Sequence, residues 1–191
     1  MKILVTGGAG FIGCNFVYYM LNKPSGVVSA TEDKNEKTVL DLLPEEMRRS
    51  GLFPAGRLDK DTTGLLIITD DGGFAHRMLS PKKHVWKYYL AELDRAPEDE
   101  KELKDKFSQG VTLSDGTVCA PGEILSVGIE SVTLRIREGK YHQVKRMIGA
   151  LGYTVTALER YRIGGLMLDS SLSSGQAREL KDAEISAVFK E

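Results

Sequence analysis

Side-chain patterns with a period of two mark two segments of the 191-residue chain as β-strands. In residues 131–137 the apolar positions are Val132, Leu134 and Ile136. In residues 86–93 a strand would place Trp86, Tyr88 and Leu90 on one face and Lys87, Tyr89 and Ala91 on the other. A period of two is typical of half-buried strands, whereas a doubly wound fold needs repeated alternation of parallel strands and helices. We therefore expect antiparallel pairing to dominate.

Helical and turn signals complete this pattern. Val144, Met147, Ile148 and Leu151 have the spacing of one helix face, and Gly152 stops that helix. We also expect a first strand over residues 16–21 and a buried strand over residues 64–69. Later in the chain we expect a helix with Leu103 and Phe107 inward, a hairpin that turns at residues 114–116 and a final helix near residues 182–188. The fold class predicted is α+β, with a mixed, mainly antiparallel sheet and flanking helices.

Composition limits the classes of function. The chain has 26 basic and 27 acidic side chains, which excludes a generally basic nucleic-acid coat but leaves room for local basic patches. Cys14 and Cys119 are too few for a disulfide scaffold and match no metal-ligand spacing, so we expect a reducing compartment and no metal. No apolar run is long enough to span a membrane, and we expect a soluble, cytoplasmic protein without a membrane partner.

A glycine motif near the start supports one functional hypothesis. Residues 2–6 predict a strand, and residues 8–13 fit G-x-G-x-x-G, the turn that binds dinucleotide phosphates. This opening resembles the start of the dTDP-glucose 4,6-dehydratases as far as residue 22. Tyr141 and Lys145 also have the Tyr-x-x-x-Lys spacing that short-chain dehydrogenases use. An NAD(P)-dependent oxidoreductase is therefore an alternative, although the parallel alternation that it requires does not continue along the chain.

An acidic loop supports a second hypothesis. Residues 56–66, Gly-Arg-Leu-Asp-Lys-Asp-Thr-Thr-Gly-Leu-Leu, place Asp59 between Arg57 and Lys60 directly before a buried strand. Neighbouring cations keep a carboxylate ionised, as a nucleophile requires, and catalytic side chains often lie on loops that rigid strands support. A strand-entry loop with surface ion pairs would have the same residues, so the pattern alone leaves both interpretations open.

The same segment resembles the catalytic motif of the pseudouridine synthases, in the branch that modifies single sites in ribosomal RNA. The resemblance runs over about residues 17–190 and continues through residues 21–26, 84–90, 138–147 and 162–166. Within that branch, His-Gln-Val-Lys-Arg-Met at residues 142–147 is most similar to the enzymes of the 16S uridine-516 type. The resemblance implies an rRNA-modifying isomerase with the sheet of that family's catalytic domain and with no cofactor.

The resemblance also implies roles for individual residues. Asp59 is expected to act at C1′ of the target uridine, Tyr89 to pack on its base, and Lys145 to pair with Asp59. Arg57 is expected to fill the gap that the flipped uridine leaves in the base stack. RNA contacts are expected at Arg57, Lys87, Lys140, His142, Gln143 and Arg146. Two basic clusters flank this region, the first comprising Arg77, Lys82, Lys83, His84 and Lys87, and the second Arg135, Arg137, Lys140, Lys145 and Arg146, with Arg160 and Arg162 beyond.

The domain organisation follows from the two resemblances. Residues 1–16 are expected to be a dehydratase-like segment fused to a catalytic domain at residues 17–191. The S4-type RNA-binding domain that usually precedes this catalytic domain in the branch is expected to be absent. The partner expected is 16S ribosomal RNA or an assembling small subunit, and the protein is expected to be a monomer. A third hypothesis is an inactive remnant that binds RNA without isomerising it.

Overall fold

The computed structural model describes residues 16–80 and 85–190, and the strands within these ranges join into one nine-stranded sheet. In chain order the elements are β1 Tyr18–Lys23, β2 Phe53–Ala55, β3 Thr63–Thr69, α1 Gly72–Leu79, β4 Lys87–Leu93, α2 Glu100–Ser108, β5 Glu123–Val127, β6 Ser131–Ile136, α3 Gln143–Ala150, β7 Val155–Ile163, β8 Leu166–Met167, β9 Ala177–Glu179 and α4 Asp182–Ala187. Two short 3₁₀ helices, Leu40–Leu42 and Glu45–Met47, lie between β1 and β2.

The sheet has the order β5-β6-β4-β7-β3-β1-β9, with β2 paired to β3 and β8 paired to β7. Among the described strands every pair is antiparallel except β3 with β7, where Thr63 and Gly64 lie opposite Glu159 and Arg160. The predicted α+β fold with a mixed, mainly antiparallel sheet is therefore confirmed.

Apolar side chains cover both faces of this sheet. Strand β3 supplies Leu66 and Ile68 to a larger core that also contains side chains of α2 and α3, and Leu65 and Ile67 to a smaller core that contains side chains of α1. This is why residues 65–68 are a continuous apolar run instead of an alternating one, as expected for a strand buried on both sides. Strand β3 lies inside the sheet between β7 and β1, so the loop that precedes it is attached to a strand that is buried on both faces.

Most predicted elements are present with shifted ends. The alternating segments form β4 and β6, which pair with each other, and the predicted amphipathic helix is α3. The strand expected from residue 16 is β1, which begins at Tyr18, and the hairpin at residues 114–116 is closed by a single bridge between Thr112 and Val118. Strands β2, β5 and β9 were not predicted.

Some sequence hypotheses concern residues that the structure does not describe. The glycine motif of residues 8–13 and Cys14 lie outside the described residues, as do Lys82, Lys83 and His84 of the first basic cluster. Within the described ranges, no helix has the length and apolar character needed to cross a bilayer. In the same ranges no group of histidine, cysteine and carboxylate side chains is arranged to hold a metal ion.

A buried lysine joins the end of β1 to the loop before β3. Lys23 is 0% exposed, and its ammonium donates hydrogen bonds to the carbonyl oxygens of Pro24 at 3.0 Å, Lys60 at 3.0 Å and Thr62 at 2.9 Å. An ammonium has three donors, so all of them are used. Bonds from a charged donor are stronger than neutral ones, which makes Lys23 an anchor for this loop.

Replacing Lys23 by methionine tests this anchor. We expect Lys23→Met to lower the free energy of unfolding by about 2–4 kcal/mol, because buried carbonyl oxygens lose their charged donor while the apolar stem is retained. Urea unfolding followed by circular dichroism measures the change. The matched control is Lys101→Met on α2, where the lysine side chain is 87% exposed and pairs with Asp105. That control should change stability by less than about 0.5 kcal/mol; equal effects of the two substitutions would refute the anchor.

Candidate active site

Two further buried side chains hold the loop of residues 56–62, which we call the Asp59 loop. Arg160 on β7 is 2% exposed, and its guanidinium donates to the carbonyl oxygens of Leu65 at 2.9 Å and Gly56 at 2.8 Å. The Ser29 hydroxyl donates to the Leu58 carbonyl at 2.8 Å and accepts from the Leu58 amide at 3.1 Å. Arg160 is thus an internal anchor, and its expected place among the basic residues that face RNA was wrong.

Glycine at position 64 makes the close approach of Arg160 possible. Gly64 has a φ of +96°, and a Cβ atom there would overlap the carbonyl oxygen of Arg160. Glycine alone adopts this backbone conformation at low cost and leaves the space open. The Asp59 loop is consequently fixed on both sides, by Lys23 and Ser29 from the first part of the chain and by Arg160 from β7.

Asp59 lies near the centre of this loop and borders an open cleft. Its side chain is about one-quarter exposed, and its Oδ1 atom lies 3.6 Å from Nε2 of His142. The backbone amide of Thr62 donates to the Asp59 carbonyl at 3.1 Å, closing a turn below the carboxylate. The cleft has a volume of about 440 Å³ and is lined by Val28, Ser29, Arg57, Leu58, Asp59, Lys60, Gly139, Lys140, Tyr141 and His142. Its size is within the range of ligand-binding clefts.

The opposite wall of the cleft is the segment that leads into α3. Glu138 organises it by accepting hydrogen bonds from the Ala120 amide at 3.0 Å, the Lys140 ammonium at 3.1 Å and the Gln143 side chain at 3.0 Å. These contacts, together with desolvation that opposes them, leave the pKa of Glu138 below its usual value. Gln143 is buried and also accepts from the Lys140 amide, so its amide group holds the segment together instead of facing outward.

Lys145 lies close to the Asp59 loop but contacts a different carboxylate from the one expected. Its ammonium is 2.6 Å from Oδ1 of Asp61, and this hydrogen bond is the main reason why the pKa of Asp61 lies below its usual value. The resemblance implied that Lys145 pairs with Asp59, and the structure instead shows Asp61 as its partner. Asp61 is 70% exposed, whereas Lys145 is mostly covered.

The two neighbouring tyrosines of β4 lie on opposite faces of the sheet, as the strand periodicity predicts. Tyr89 is buried and lines a small pocket of about 60 Å³ that Asp59, Thr62 and His142 also line. Tyr88 faces away, where its hydroxyl accepts a hydrogen bond from Arg135 at 3.1 Å. The structure therefore brings Tyr89, and not Tyr88, to the site of Asp59.

A second cavity adjoins the cleft and contains Lys87. It has a volume of about 570 Å³ and is lined by Phe53, Pro54, Gly56, Arg57, Leu79, Lys87, Tyr89, Glu138, Gly139, Lys140 and Arg160. Lys87 is buried and donates to the Arg137 carbonyl at 3.1 Å. Burial, assisted by the positive charge of Arg160, lowers the pKa of Lys87 to about 8. Arg57 is exposed and lines both this cavity and the cleft.

The second basic cluster predicted from the sequence is divided between two faces. Arg135 and Arg137 pack over the ring of Trp86, at 4.3 Å and 3.9 Å from its centre, on the face opposite Asp59. Arg162 packs over Tyr88 on that same face. Lys140 and Lys145 remain beside the Asp59 loop. Arg146, on α3, is paired with Asp115 of the hairpin.

Sequence reasoning did not identify several residues that shape the site. Lys23, Ser29 and Glu138 act through hydrogen bonds to distant backbone or side-chain groups, and no local pattern marks such partners. Thr62 is 1% exposed, and its hydroxyl has no hydrogen-bond partner among the described residues, although Thr62 lines the same pocket as Asp59. A buried polar atom without a partner is uncommon in native proteins, and leaving it unpaired costs free energy.

Comparison with known proteins gives consistent matches. The family described as RNA pseudouridylate synthase matches residues 17–150. An uncharacterised RNA pseudouridine synthase of Bacillus subtilis is 49% identical over 175 residues, which cover 89% of this chain and 72% of the relative. Ribosomal small subunit pseudouridine synthase A of Escherichia coli is 44% identical over 172 residues, which cover 90% of this chain and 73% of the relative. A crystal structure of a pseudouridylate synthase matches with a TM-score of 0.83 at 38% identity, covering 91% of this chain and 74% of that one.

The hydroxyl of Thr62 gives a testable difference between two buried threonines. We expect Thr62→Val to raise the free energy of unfolding by about 1 kcal/mol, because the substitution removes a buried polar group that has no partner. The matched control is Thr69→Val, since the Thr69 hydroxyl donates to Val17 at 2.6 Å and accepts from Asp71 at 3.0 Å. That control should lower stability by about 1–3 kcal/mol. Thermal unfolding measures the stability of both variants against the wild-type protein, and destabilisation by Thr62→Val would contradict the expectation.

Proposed function

The chain belongs to the RNA pseudouridine synthase family, and from that membership we propose that it converts one specific uridine of small-subunit ribosomal RNA to pseudouridine. The members of this family are isomerases, so the chain is an enzyme. The observation that carries the proposal is the carboxylate of Asp59 at an open cleft, on a loop whose backbone is anchored by buried side chains, with Tyr89 beside it and Arg57 at the rim. The small-subunit substrate is proposed because a relative at 44% identity has that specificity in its name.

The proposed chemistry rests on Asp59. The bond between C1′ and N1 of the target uridine breaks while the Asp59 carboxylate stabilises or captures the oxocarbenium-like sugar. The freed uracil rotates, a bond forms between C1′ and C5, the proton on C5 leaves and N1 ends protonated. Atoms and charge balance without an added reactant. The anchors of the Asp59 loop support this role, because a carboxylate that must meet C1′ needs a fixed position.

The surrounding residues are proposed to support that step. Tyr89 packs against the uracil, since it is the buried tyrosine that lines the pocket with Asp59. Arg57 fills the space left by the flipped uridine, since it is exposed two residues before Asp59; extrusion of a base costs a few kcal/mol that such a substitute offsets. Lys145 supplies positive charge next to the Asp59 loop, with Asp61 as its hydrogen-bond partner before RNA binds.

The proposal extends to the target uridine and to the domain boundaries. The sequence of residues 142–147 supports a target of the 16S uridine-516 type. Residues 17–191 are proposed as the catalytic domain, in agreement with the start of the family match at residue 17, and residues 1–16 as a segment outside it. The Tyr141 and Lys145 pair gives no support to a dehydrogenase site, because Tyr141 stacks on His142 and Lys145 bonds to Asp61.

Isosteric removal of the Asp59 charge tests the function. We expect the wild-type protein to release tritium from small-subunit ribosomal RNA labelled at uridine C5. Asp59→Asn should reduce the rate by at least about 10³-fold, because the amide can neither stabilise nor capture the sugar cation. Circular dichroism checks that the variant is folded. The proposal fails if the wild-type protein releases no tritium, or if Asp59→Asn releases it at the wild-type rate.

A neighbouring carboxylate serves as the matched control for Asp59. Asp61→Asn removes a charge from the same loop, but Asp61 is largely exposed and faces Lys145. We expect tritium release by Asp61→Asn to fall by less than about tenfold, since an exposed ion pair contributes about 1 kcal/mol or less. If Asp61→Asn lowers the rate of tritium release as much as Asp59→Asn does, the position of Asp59 in the loop does not give it a special role.

The lowered pKa of Lys87 predicts a pH dependence of RNA binding. We propose that the Lys87 ammonium binds a phosphate in the 570 Å³ cavity. The ammonium predominates below its pKa of about 8 and the neutral amine above it, so RNA affinity falls as the pH rises through 8. The charged and titratable side chains that share the cavity are Arg57, Tyr89, Glu138, Lys140 and Arg160. From about pH 7 to about pH 9 we expect the Kd to rise about five- to tenfold at constant ionic strength.

Lys87→Gln is the control for this titration. It should bind RNA more weakly than the wild-type protein at pH 7 and should lose most of the pH dependence, as measured by filter binding at each pH. The pKa of Lys23 is also lowered by burial to about 8, but Lys23 does not line the cavity, and its contribution should be the same in both proteins. A pH dependence that Lys87→Gln leaves intact would refute the assignment.

A further inference from the structure

Tyr141 is an exposed aromatic residue that the proposed chemistry does not use. Its side chain is 75% exposed, although it borders the cleft that contains Asp59. One face of its ring is covered by the imidazole of His142, with ring centres 3.8 Å apart and planes inclined by 20°. Because the residue as a whole is so exposed, the other face of the phenol ring is open for a second planar group.

The two rings connect this open face to the reactive carboxylate. His142 contacts Asp59 at 3.6 Å on one side and stacks on Tyr141 on the other. A planar group on the outer face of Tyr141 would therefore be separated from the Asp59 side of the cleft by two stacked rings. This separation suits a base next to the reacting uridine in the RNA chain and does not suit the reacting uridine itself, which must meet Asp59.

The backbone at His142 is held in a conformation that supports a functional role for the ring pair. His142 has a φ of +47°, and it is the only non-glycine residue with a positive φ among those that the structure describes. Such a conformation is unfavourable for a residue with a side chain and persists where the surrounding structure fixes it, often at binding sites. Here it occurs at the first turn of α3 and sets the direction of the imidazole on which Tyr141 stacks.

The charges around the ring pair identify the chemistry of the occupant. The cleft is lined by the cations Arg57, Lys60 and Lys140 against the single carboxylate Asp59. Lys60 is paired with Glu36 and Lys140 with Glu138, while Arg57 is exposed at the rim. Arg57 is therefore the cation on which the match to a phosphate rests, and the open ring of Tyr141 matches a base, so a nucleotide fits both features. Base stacking on an aromatic side chain contributes about 1–3 kcal/mol and tolerates any base.

We infer that the outer face of Tyr141 is a stacking platform for one base adjacent to the target uridine. This inference rests on the proposed function, because it takes the reacting uridine to be at Asp59. The platform would hold the RNA strand on one side of the flipped nucleotide while Arg57 occupies the gap in the stack. It also gives Tyr141 a role that does not involve the Tyr-x-x-x-Lys pattern.

A double-mutant cycle between protein and RNA tests the platform. Tyr141→Ala removes the ring, and a single abasic ribose placed in turn at each nucleotide flanking the target removes the base. We expect Tyr141→Ala to raise the KM for RNA about 5- to 100-fold with little change in kcat, and an abasic flank at one position to do the same to the wild-type protein. Combined, the two changes should have no larger effect than either alone. Tyr141→Phe, which retains the ring, should recover most of the lost affinity.

Two comparisons make the outcome decisive. Ile129→Ala, which removes an 87% exposed apolar side chain on another part of the surface, should leave the KM within about twofold. The inference is overturned if Tyr141→Ala has the same KM as the wild-type protein, or if its effect and that of every abasic flank are additive. Equilibrium binding separates this result from failure of the proposed function. If the protein releases no tritium but Tyr141→Ala and an abasic flank lower the affinity in a coupled way, the platform is supported and the proposed function is not. If the protein releases tritium but the two changes are not coupled, the proposed function is supported and the platform is not.

Discussion

The fixed position of the Asp59 loop depends on hydrogen bonds from two buried cations to its backbone. Lys23 holds the carbonyl groups of Lys60 and Thr62, and Arg160 ties that of Gly56 in the loop to that of Leu65 in β3. Buried carbonyl groups of a loop must be satisfied without a strand partner, and cationic side chains with several donors can satisfy more than one each. The pairing of β1 and β7 with the same interior strand, β3, brings both cations to this loop. The sheet topology and the position of Asp59 are thus parts of one arrangement.

The two cations that anchor the loop, Lys23 and Arg160, also influence the charged groups around Asp59. Burial lowers the pKa of Lys23 to about 8, and the carboxylates of Asp61 and Asp59 act in the opposite direction by favouring its charged form. Arg160 contributes to the lowered pKa of Lys87 in the neighbouring cavity. Buried charges of like sign increase the free-energy cost of keeping each other charged, and nearby carboxylates reduce that cost. A positive environment around Asp59 is therefore a consequence of how the loop is held, and it also favours the approach of phosphate groups.

The sequence predicted those parts of the molecule that local patterns determine. A period of two identified β4 and β6, helical spacing identified α3, and the order of residues around Asp59 identified the loop. Strand periodicity also separated Tyr89 from Tyr88 correctly. The interior roles of Lys23 and Arg160 could not be predicted, because a cation in a strand has the same local sequence whether it faces water or distant carbonyl groups. The partner of Lys145 was missed for a similar reason, since Asp59 and Asp61 are two residues apart and only the fold decides which carboxylate is nearer.

The two walls of the cleft are built in different ways, and this difference bears on how an RNA strand can be accommodated. The wall with Asp59 is fixed by buried charged hydrogen bonds, which suits the step in which a carboxylate must meet one carbon atom. The wall with Tyr141 and His142 depends on Glu138 and on a strained backbone, and it presents an exposed ring. Stacking on such a ring depends little on the identity of the base and tolerates small shifts in its position. The rigid wall therefore suits the reacting nucleotide, whereas the exposed ring suits its neighbour, whose exact placement is less critical to the chemistry.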